Sequence, residues 1–399
     1  MTSVPFFRPS IGEAEINEVV EVLQSGWLTT GPRVKAFEAS FAAAVGARYA
    51  VALSSATAAL HLAVEALGLR AGQGVLVPTM TFAATAEVVR YLGGVPILVD
   101  CDAATLNIDY DDAELKVQAA RAGRLHGFGA LEVVGLIPVH VGGFMVDMAD
   151  TRSFAGRHNL WVVEDAAHAF PAAWRPDASS PWVRCGEQTS RVACFSFYAN
   201  KTITTGEGGM AVTDDESLAE RMRLMSLHGL SRDAWDRYKS GASWDYRIVE
   251  SGFKYNMTDL AAAIGVHQLK QAEAMRVNRE SLANEYRYRL EEVEAIEIPI
   301  IHEHRIHSWH LFPIRLALDR LTIDRDGFIK ALNERKIGTS VHWRPLHLHP
   351  YYEQFGWQAA DCPVASREWL RLISLPLFPS MSSEEQLAVI NAVKEIVDG

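Results

Sequence analysis

The sequence predicts an α/β protein: a mostly parallel sheet covered by helices on both faces, followed by a smaller C-terminal α/β domain. Three observations lead there. Short runs at residues 49–53, 75–77, 96–99 and 160–163 read as buried strands. They alternate with stretches of helical periodicity, the pattern of a parallel sheet with helices on both sides. A long helical tract starts near Thr258-Asp259 and continues past Tyr286, and beyond it the elements are fewer and less regular. The expected division is a large domain over 1–274, including an N-terminal helix, and a small domain over 275–399.

The elements follow in order. Ser10 and Glu13 have the spacing of a capping box, and Ile16, Val19, Val20 and Leu23 recur at helical intervals until Gly26 stops the run. Residues 27–32 are a loop and 34–44 a second amphipathic helix. The strand at 49–53 runs into Ser54-Ser55-Ala56-Thr57-Ala58-Ala59, a small-residue turn that opens a helix. Further strands are expected at 133–139, 191–195 and 210–212, with helices at 81–92, 109–123 and 147–155. In the C-terminal part, strands are expected at 296–301, 310–316 and 340–343 and a helix at 324–335. A final helix begins near Ser382, with Glu385 three residues on.

Composition excludes several classes. The 399 residues carry a net charge of −11 and no Lys/Arg run, which argues against a nucleic-acid surface. Cys101, Cys185, Cys194 and Cys362 are scattered without CxxC spacing, so neither a disulfide scaffold nor a zinc knuckle is expected. The first residues lack the basic-then-apolar order of a signal peptide. The most apolar stretch, 133–146, is broken by glycines, Pro138 and His140, and is too short for a membrane span. The expectation is a cytoplasmic protein.

One lysine organises the chemistry. Phe195-Ser196-Phe197-Tyr198-Ala199-Asn200-Lys201 leads from an apolar run to a lysine, and Gly206-Glu207-Gly208-Gly209 turns the chain into the next strand. A lysine held between a strand and a tight turn can be aimed into a pocket. Desolvation there lowers its pKa and lets it attack a carbonyl. Lys201 is thus the candidate to hold a cofactor aldehyde as a Schiff base.

Other stretches converge on it. Residues 54–59 leave backbone N–H groups at a helix N-terminus, a phosphate site helped by the Thr57 hydroxyl. Asp165, in Glu164-Asp165-Ala166-Ala167-His168-Ala169, follows a strand, on the rim where α/β proteins bind ligands. A carboxylate there can keep a pyridine nitrogen protonated. His168, three residues on, is expected on the same helical face, able to reach a phenolic oxygen. Phe82 can stack on a flat ring, and Ser196 can reach a phosphate. Read singly, these are an N-cap, a helix-capping acid, a structural histidine and a core aromatic; the constellation favours a site.

These residues resemble the DegT/DnrJ/EryC1/StrS sugar aminotransferases over nearly the whole chain. The matching motifs are Ser55-Ala56-Thr57-Ala58-Ala59-Leu60-His61, Glu164 to Ala169, Phe195 to Lys201, Gly206 to Gly209, and Gly252-Phe253-Lys254-Tyr255-Asn256-Met257-Thr258-Asp259. The resemblance implies the aspartate-aminotransferase fold (fold type I) and pyridoxal 5′-phosphate. It implies Lys201 as the Schiff-base lysine, Asp165 as the pyridinium partner and His168 as the phenolic-oxygen contact. Thr57, Ala58 and Ser196 are implied at the phosphate and Phe82 over the ring. Asn256 is implied to reach the phosphate of a neighbouring subunit's cofactor, so the active unit is a homodimer with shared sites.

The tracts 228–235, 309–312 and 338–347 are similar to C4 transaminases acting on nucleotide-linked 4-keto sugars, the group that makes UDP-4-amino-4-deoxy-L-arabinose being nearest. The implied reaction moves an amino group from L-glutamate to such a sugar. His342 and Trp27 are candidate substrate contacts. The histidines at 302, 304, 307, 310, 342, 347 and 349 lack cysteine and carboxylate partners at ligand spacing, so substrate or structural roles are favoured for them and no metal is expected. Other readings are a 3-keto-sugar aminotransferase of the same family and a non-catalytic sensor of cofactor or sugar nucleotide. A dehydratase of the family is disfavoured by Lys201, since that branch has histidine there. A nicotinamide-binding reading fails because Gly206–Gly209 precedes a strand.

Overall fold

The computed structural model describes residues 3–187, 190–231 and 247–399. The strands are β1 (Tyr49–Leu53), β2 (Gly74–Pro78), β3 (Val95–Val99), β4 (Val133–Leu136), β5 (Trp161–Asp165), β6 (Ala173–Trp174), β7 (Val183–Arg184), β8 (Val192–Ser196), β9 (Gly209–Thr213), β10 (Ile296–Glu297), β11 (Arg305–Ile306), β12 (Phe312–Leu316) and β13 (Leu372–Leu375). Among the described residues the main sheet is ordered β1-β9-β8-β5-β4-β2-β3. Strands β3, β2, β4, β5 and β8 pair in parallel, and β9 runs antiparallel to both of its neighbours.

Successive side chains of each strand enter opposite cores. Ala50, Ala52, Leu76, Phe195 and Met210 join the core that includes Phe37, Phe41 and Phe154. Val51, Leu53, Val75, Val77 and Ala211 join the one that includes Leu60 and Met222. Both faces are buried, so these strands show little polar alternation in sequence.

The helices around this sheet are α1 (Glu13–Ser25), α2 (Pro32–Val45), α3 (Ala56–Ala66), α4 (Ala84–Tyr91), α5 (Tyr110–Arg121), α6 (Met148–His158) and α7 (Glu216–Ser226), followed by the 32-residue α8 (Asp259–Leu290). Thr258 caps α8 by accepting the Ala261 N–H at 3.3 Å. Ala262, Ala272 and Met275 of this helix belong to the first core. Ala283, Tyr286 and Leu290 pack instead around the antiparallel sheet β10-β12-β13. The final helix, Ser383–Asp398, has the expected cap: Glu385 N–H donates to Ser382 Oγ at 3.1 Å and Ser382 N–H to Glu385 Oε2 at 2.9 Å.

Several expectations need correction. The first helix is capped at Gly12, not Ser10, and the Gly12 N–H donates to Glu15 Oε2 at 3.0 Å. Its periodic residues Ile16, Val20 and Leu23 are 55%, 41% and 54% exposed, so this apolar stripe faces outward. The helix expected at 81–92 begins at Ala84. Strand β4 stops at Leu136, because Pro138 has no N–H to continue a ladder. The strand expected at 296–301 shrinks to two residues, and among the described residues 340–343 forms no strand but an isolated backbone bridge, Ser340–Ser374.

Candidate active site

The carboxyl ends of β1, β2, β5 and β8 meet at one rim, the ligand-binding edge of parallel α/β sheets. Because β9 runs the other way, the turn before it reaches the same rim. The result is a cavity of about 630 Å³, in the range of small-molecule sites. Thr57, Phe82, Asp165, His168, Ser196, Lys201 and His342 line it.

Its phosphate-sized end forms where β1 becomes α3. Ser55 caps this helix, accepting the Ala58 N–H at 3.0 Å. The N-cap reading is therefore correct as far as it goes. Ala58 is buried, its N–H is taken, and it does not line the cavity. Ala56 and Thr57 occupy the first two helical positions, where a helix supplies no carbonyl for the backbone N–H. Gly209 lets β9 lie against this turn, since a Cβ there would stand 2.3 Å from the Ser55 backbone.

Asp165 is the last residue of β5 and 5% exposed. Its Oδ2 accepts the Thr85 hydroxyl at 2.7 Å and its Oδ1 the Ala167 N–H at 3.1 Å. Burial raises its pKa above the usual carboxylate value, opposed by those two hydrogen bonds and by the charges of Lys201 and His140. Across the cavity, burial lowers the Lys201 amine from its ordinary 10.5 to about 8, with the Asp165 charge pulling the other way.

His168 is not on a helix. Asp165 ends a strand, and 167–168 form a turn. The histidine reaches the cavity because its Nδ1 accepts the Gly142 N–H at 3.3 Å, which places the ring proton on Nε2. Trp343 stacks on it at 5.1 Å with 17° between planes. Burial, with the nearby charges of Lys201 and His342, holds its pKa well below 6.5. His342 accepts from or donates to Ser374 Oγ at 2.9 Å and is lowered by burial to about 4.

Trp27 and Asn256 lie outside this cavity and meet at Thr30. The Trp27 indole N–H donates to the Thr30 carbonyl at 3.0 Å, and Asn256 Nδ2 donates to Thr30 Oγ1 at 2.7 Å. Arg232, Asp233, Ala234 and Trp235 of the 228–235 tract lie outside the described residues.

Sequence reasoning assigned no role to Thr85 or Trp343 and gave His310 only a share in a substrate-or-structural reading of the histidines, although all three stand in stretches it singled out. It also missed a buried pair behind Asp165. His140 Nε2 and Glu164 Oε2 are 2.9 Å apart, both fully buried, and the His140 N–H of the backbone donates to the Asp165 carbonyl at 3.2 Å. The two-residue period of a strand's side chains carried the signal: Glu164, next to Asp165 in β5, points away from the cavity that Asp165 faces. Cys185 joins this pair to form a cluster with ligand-type atoms within 4.8 Å. Burial, then the Glu164 charge, push its thiol well above the usual value, so it stays protonated and is a poor metal ligand.

The fold and this rim are those of the fold type I enzymes, which perform amine chemistry with pyridoxal 5′-phosphate. The chain belongs to the DegT/DnrJ/EryC1/StrS aminotransferase family, whose model matches residues 9–394, and is a transaminase of that cofactor class. It is 43% identical over 398 residues to the spore coat polysaccharide biosynthesis protein SpsC of Bacillus subtilis, covering 99% of this chain and 97% of that one. Spr1654 of Streptococcus pneumoniae, solved in its PLP form, superposes with a TM-score of 0.84 at 30% identity, covering 100% and 99% of the two chains. The sugar aminotransferase CalS13 of Micromonospora echinospora gives 0.83 at 27% identity, covering 98% and 99%. No helix among the described residues is long and apolar enough to cross a membrane.

Proposed function

We propose that this protein transfers the amino group of L-glutamate to a nucleotide-linked keto sugar, a 4-keto sugar on UDP or dTDP, producing an amino sugar and 2-oxoglutarate. The observation that carries the reading is the pairing of Lys201 and Asp165 across one cavity, with an amine pKa brought down to about 8. Membership in an aminotransferase family and likeness to sugar aminotransferases support the substrate class.

The residues present fit pyridoxal phosphate. The open N–H groups at the start of α3, with Thr57 and Ser196, would take the phosphate. Asp165 would face the ring nitrogen, His168 Nε2 the phenolic oxygen, Phe82 the ring face and Lys201 Nζ the aldehyde. Bound there, the cofactor supplies an electron sink for the carbanion left when an amino acid loses its α-proton.

The protein's own groups do the rest. Lys201, neutral in an appreciable fraction near pH 8, would take the donor's α-proton on Nζ and carry it there as general base, then give it up as general acid. Asp165, in its anionic form, would hold a proton on the ring nitrogen facing it. Thr85 and the Ala167 N–H hold that carboxylate in position. His342, which lines the cavity, is read as a sugar contact.

The active unit in this reading is a homodimer. Trp27 and Asn256 do not line their own cavity, although Asn256 bridges to Leu53 just before its 54–57 turn, and α1 presents Ile16, Val20 and Leu23 to the outside. Both fit service to a second chain's site. The test is spectroscopic. The cofactor-loaded protein should be yellow and bleach with glutamate, and the bleached form should recover colour with a nucleotide-linked keto sugar. A colourless protein, or one inert to glutamate, supports the sensor reading instead. Recovery with 3-keto but not 4-keto sugars would move the position of amination.

A further inference from the structure

His342, read above as a sugar contact, leans on a segment more than three hundred residues earlier in the chain. Phe6 stacks on its ring, with centroids 5.6 Å apart and 25° between planes. Phe6 itself does not line the cavity.

Polar and apolar anchors fix the segment that carries Phe6. Val4 is buried in the core around β10-β12-β13. It donates its N–H to the Lys336 carbonyl at 3.0 Å and accepts the Gly338 N–H at 2.8 Å. Glycine suits position 338, since a Cβ there would stand 2.7 Å from the Phe6 nitrogen. Arg8 Nη2 pairs with Glu385 Oε1 of the final helix at 2.7 Å, and the Ser10 carbonyl accepts Gln268 Nε2 of α8 at 2.7 Å. Phe7, Arg8, Pro9 and Ser10 share a small crevice with Asn200 and Lys201. The segment therefore runs from the core around β10-β12-β13 to the Lys201 turn, and Phe6 sits on that path.

The contacts of His342 divide between its edge and its face. Nδ1 and Ser374 Oγ stand 2.9 Å apart, which uses one nitrogen. Nε2 meets no hydrogen-bond partner among the described residues, and it is not sealed from solvent. It is the nitrogen left for a ligand in the cavity that the ring lines. Burial, then the Lys201 charge, lowers the ring to about 4, so it works as a neutral imidazole with one donor and one acceptor. A single polar contact at Nδ1 fixes one edge of the ring but lets its plane swing. Trp343 crosses it at 84° with centroids 5.6 Å apart, so the parallel contact comes from Phe6. Edge and face together set the direction of Nε2 before a ligand arrives, which spares binding the cost of ordering the side chain.

We infer that Phe6 is a positioning residue for the acceptor sugar, its stack on His342 holding that ring in the orientation that meets the sugar. This rests on the reading of His342 as a sugar contact. The test uses the full-length, cofactor-loaded protein. Phe6→Leu keeps apolar bulk without the ring, and Phe6→Tyr keeps the ring. His342→Ala and the double variant Phe6→Leu with His342→Ala complete a cycle. The probes are L-glutamate and a panel of UDP- and dTDP-linked 4-amino and 3-amino sugars, titrated against the absorbance of the bound cofactor. The panel member bound by wild type is carried to the variants.

Phe6→Leu should take up pyridoxal phosphate and bleach with glutamate within about twofold of wild type. It should bind the amino sugar about three- to tenfold more weakly, the scale of one aromatic stack, while Phe6→Tyr stays close to wild type. Added to His342→Ala, Phe6→Leu should change sugar binding by under about twofold, because the ring it acts through has gone. A leucine variant that binds the sugar as wild type does overturns the inference. So does one whose cofactor uptake and glutamate response fall to the same degree, which marks a general loosening, and so does an equal further loss in the His342→Ala background. If His342→Ala alone binds the sugar as wild type does, the reading of His342 fails and the inference fails with it. Wild-type protein that bleaches with glutamate but ignores the whole panel refutes the sugar reading itself, and this is seen before any variant is made.

Discussion

Thr85 donates its hydroxyl to Asp165 Oδ2 at 2.7 Å, and Thr81 Oγ1 stands 2.8 Å behind it. This contact opposes the burial that raises the Asp165 pKa. Thr85→Val removes it, so the carboxylate pKa rises further. The anionic form is the working one, and activity is lost as pH falls through that pKa. The acid limb of the glutamate half-reaction should therefore move to higher pH, by about one unit for a hydrogen bond to a charged group. A pH–rate profile with an unmoved acid limb would contradict this.

Lys201 is lowered to about 8 by burial. Its neutral form, the nucleophile, gains population as pH rises through that value. Uptake of pyridoxal phosphate by cofactor-free protein should accelerate with pH and reach half its maximum near 8. Lys201→Arg keeps a positive charge but cannot offer a neutral amine, and turnover should vanish. Stopped-flow absorbance measures the first effect and coupled 2-oxoglutarate assay the second.

Gly209→Ala places a Cβ 2.3 Å from the Ser55 carbonyl group, where backbone meets backbone and neither can swing aside. The expected cost is about 1–3 kcal/mol of stability. The helix start is pushed off the rim at the same time, so affinity for pyridoxal phosphate should fall more than stability. Urea unfolding and a cofactor titration on one sample separate the two.

His140→Leu removes the 2.9 Å hydrogen bond to a fully buried Glu164. Truncating one side of such a pair costs about 3–5 kcal/mol, whereas replacing both sides with apolar groups can be close to neutral. The single variant should be strongly destabilised, and His140→Leu with Glu164→Leu should recover much of the loss. Chemical denaturation midpoints decide it.

Ile16→Asp with Val20→Asp changes two exposed side chains of one chain, where substitutions usually shift stability by under about 0.5 kcal/mol. In the homodimer reading they charge a contact face. Sedimentation should show a folded monomer, and its activity should drop because Asn256 no longer serves a second site. A variant that stays dimeric and active refutes that placement of the interface.

The main sheet was legible because buried parallel strands are short apolar runs between helices, as in 75–77 and 96–99. That Lys201 and Asp165 line one cavity was legible because strand ends, and the turns that follow them, form the ligand rim in such sheets. Other features depended on distant chain. His168 was misread as helical because Asp165 ends a strand rather than capping a helix, a difference that no local period marks. The α1 stripe was read correctly as apolar, but periodicity does not say which way a stripe faces. His310 and Trp343 stand in stretches read as strands, where 310–311 and 340–343 form none, and only the folded chain shows them beside His168.

The pairing of β1 with β9 has a consequence in time. Leu53 lies opposite Gly209, so the turn that carries Ser55 is complete only when a segment past the chain's midpoint has docked beside it. Contacts between such distant segments form late and slowly, because a long loop must close first. A partly synthesised chain that lacks Gly209 also lacks the wall against which that turn rests. Capture of the cofactor is thereby expected to wait on this long-range pairing, and gain of its absorbance during refolding would report it.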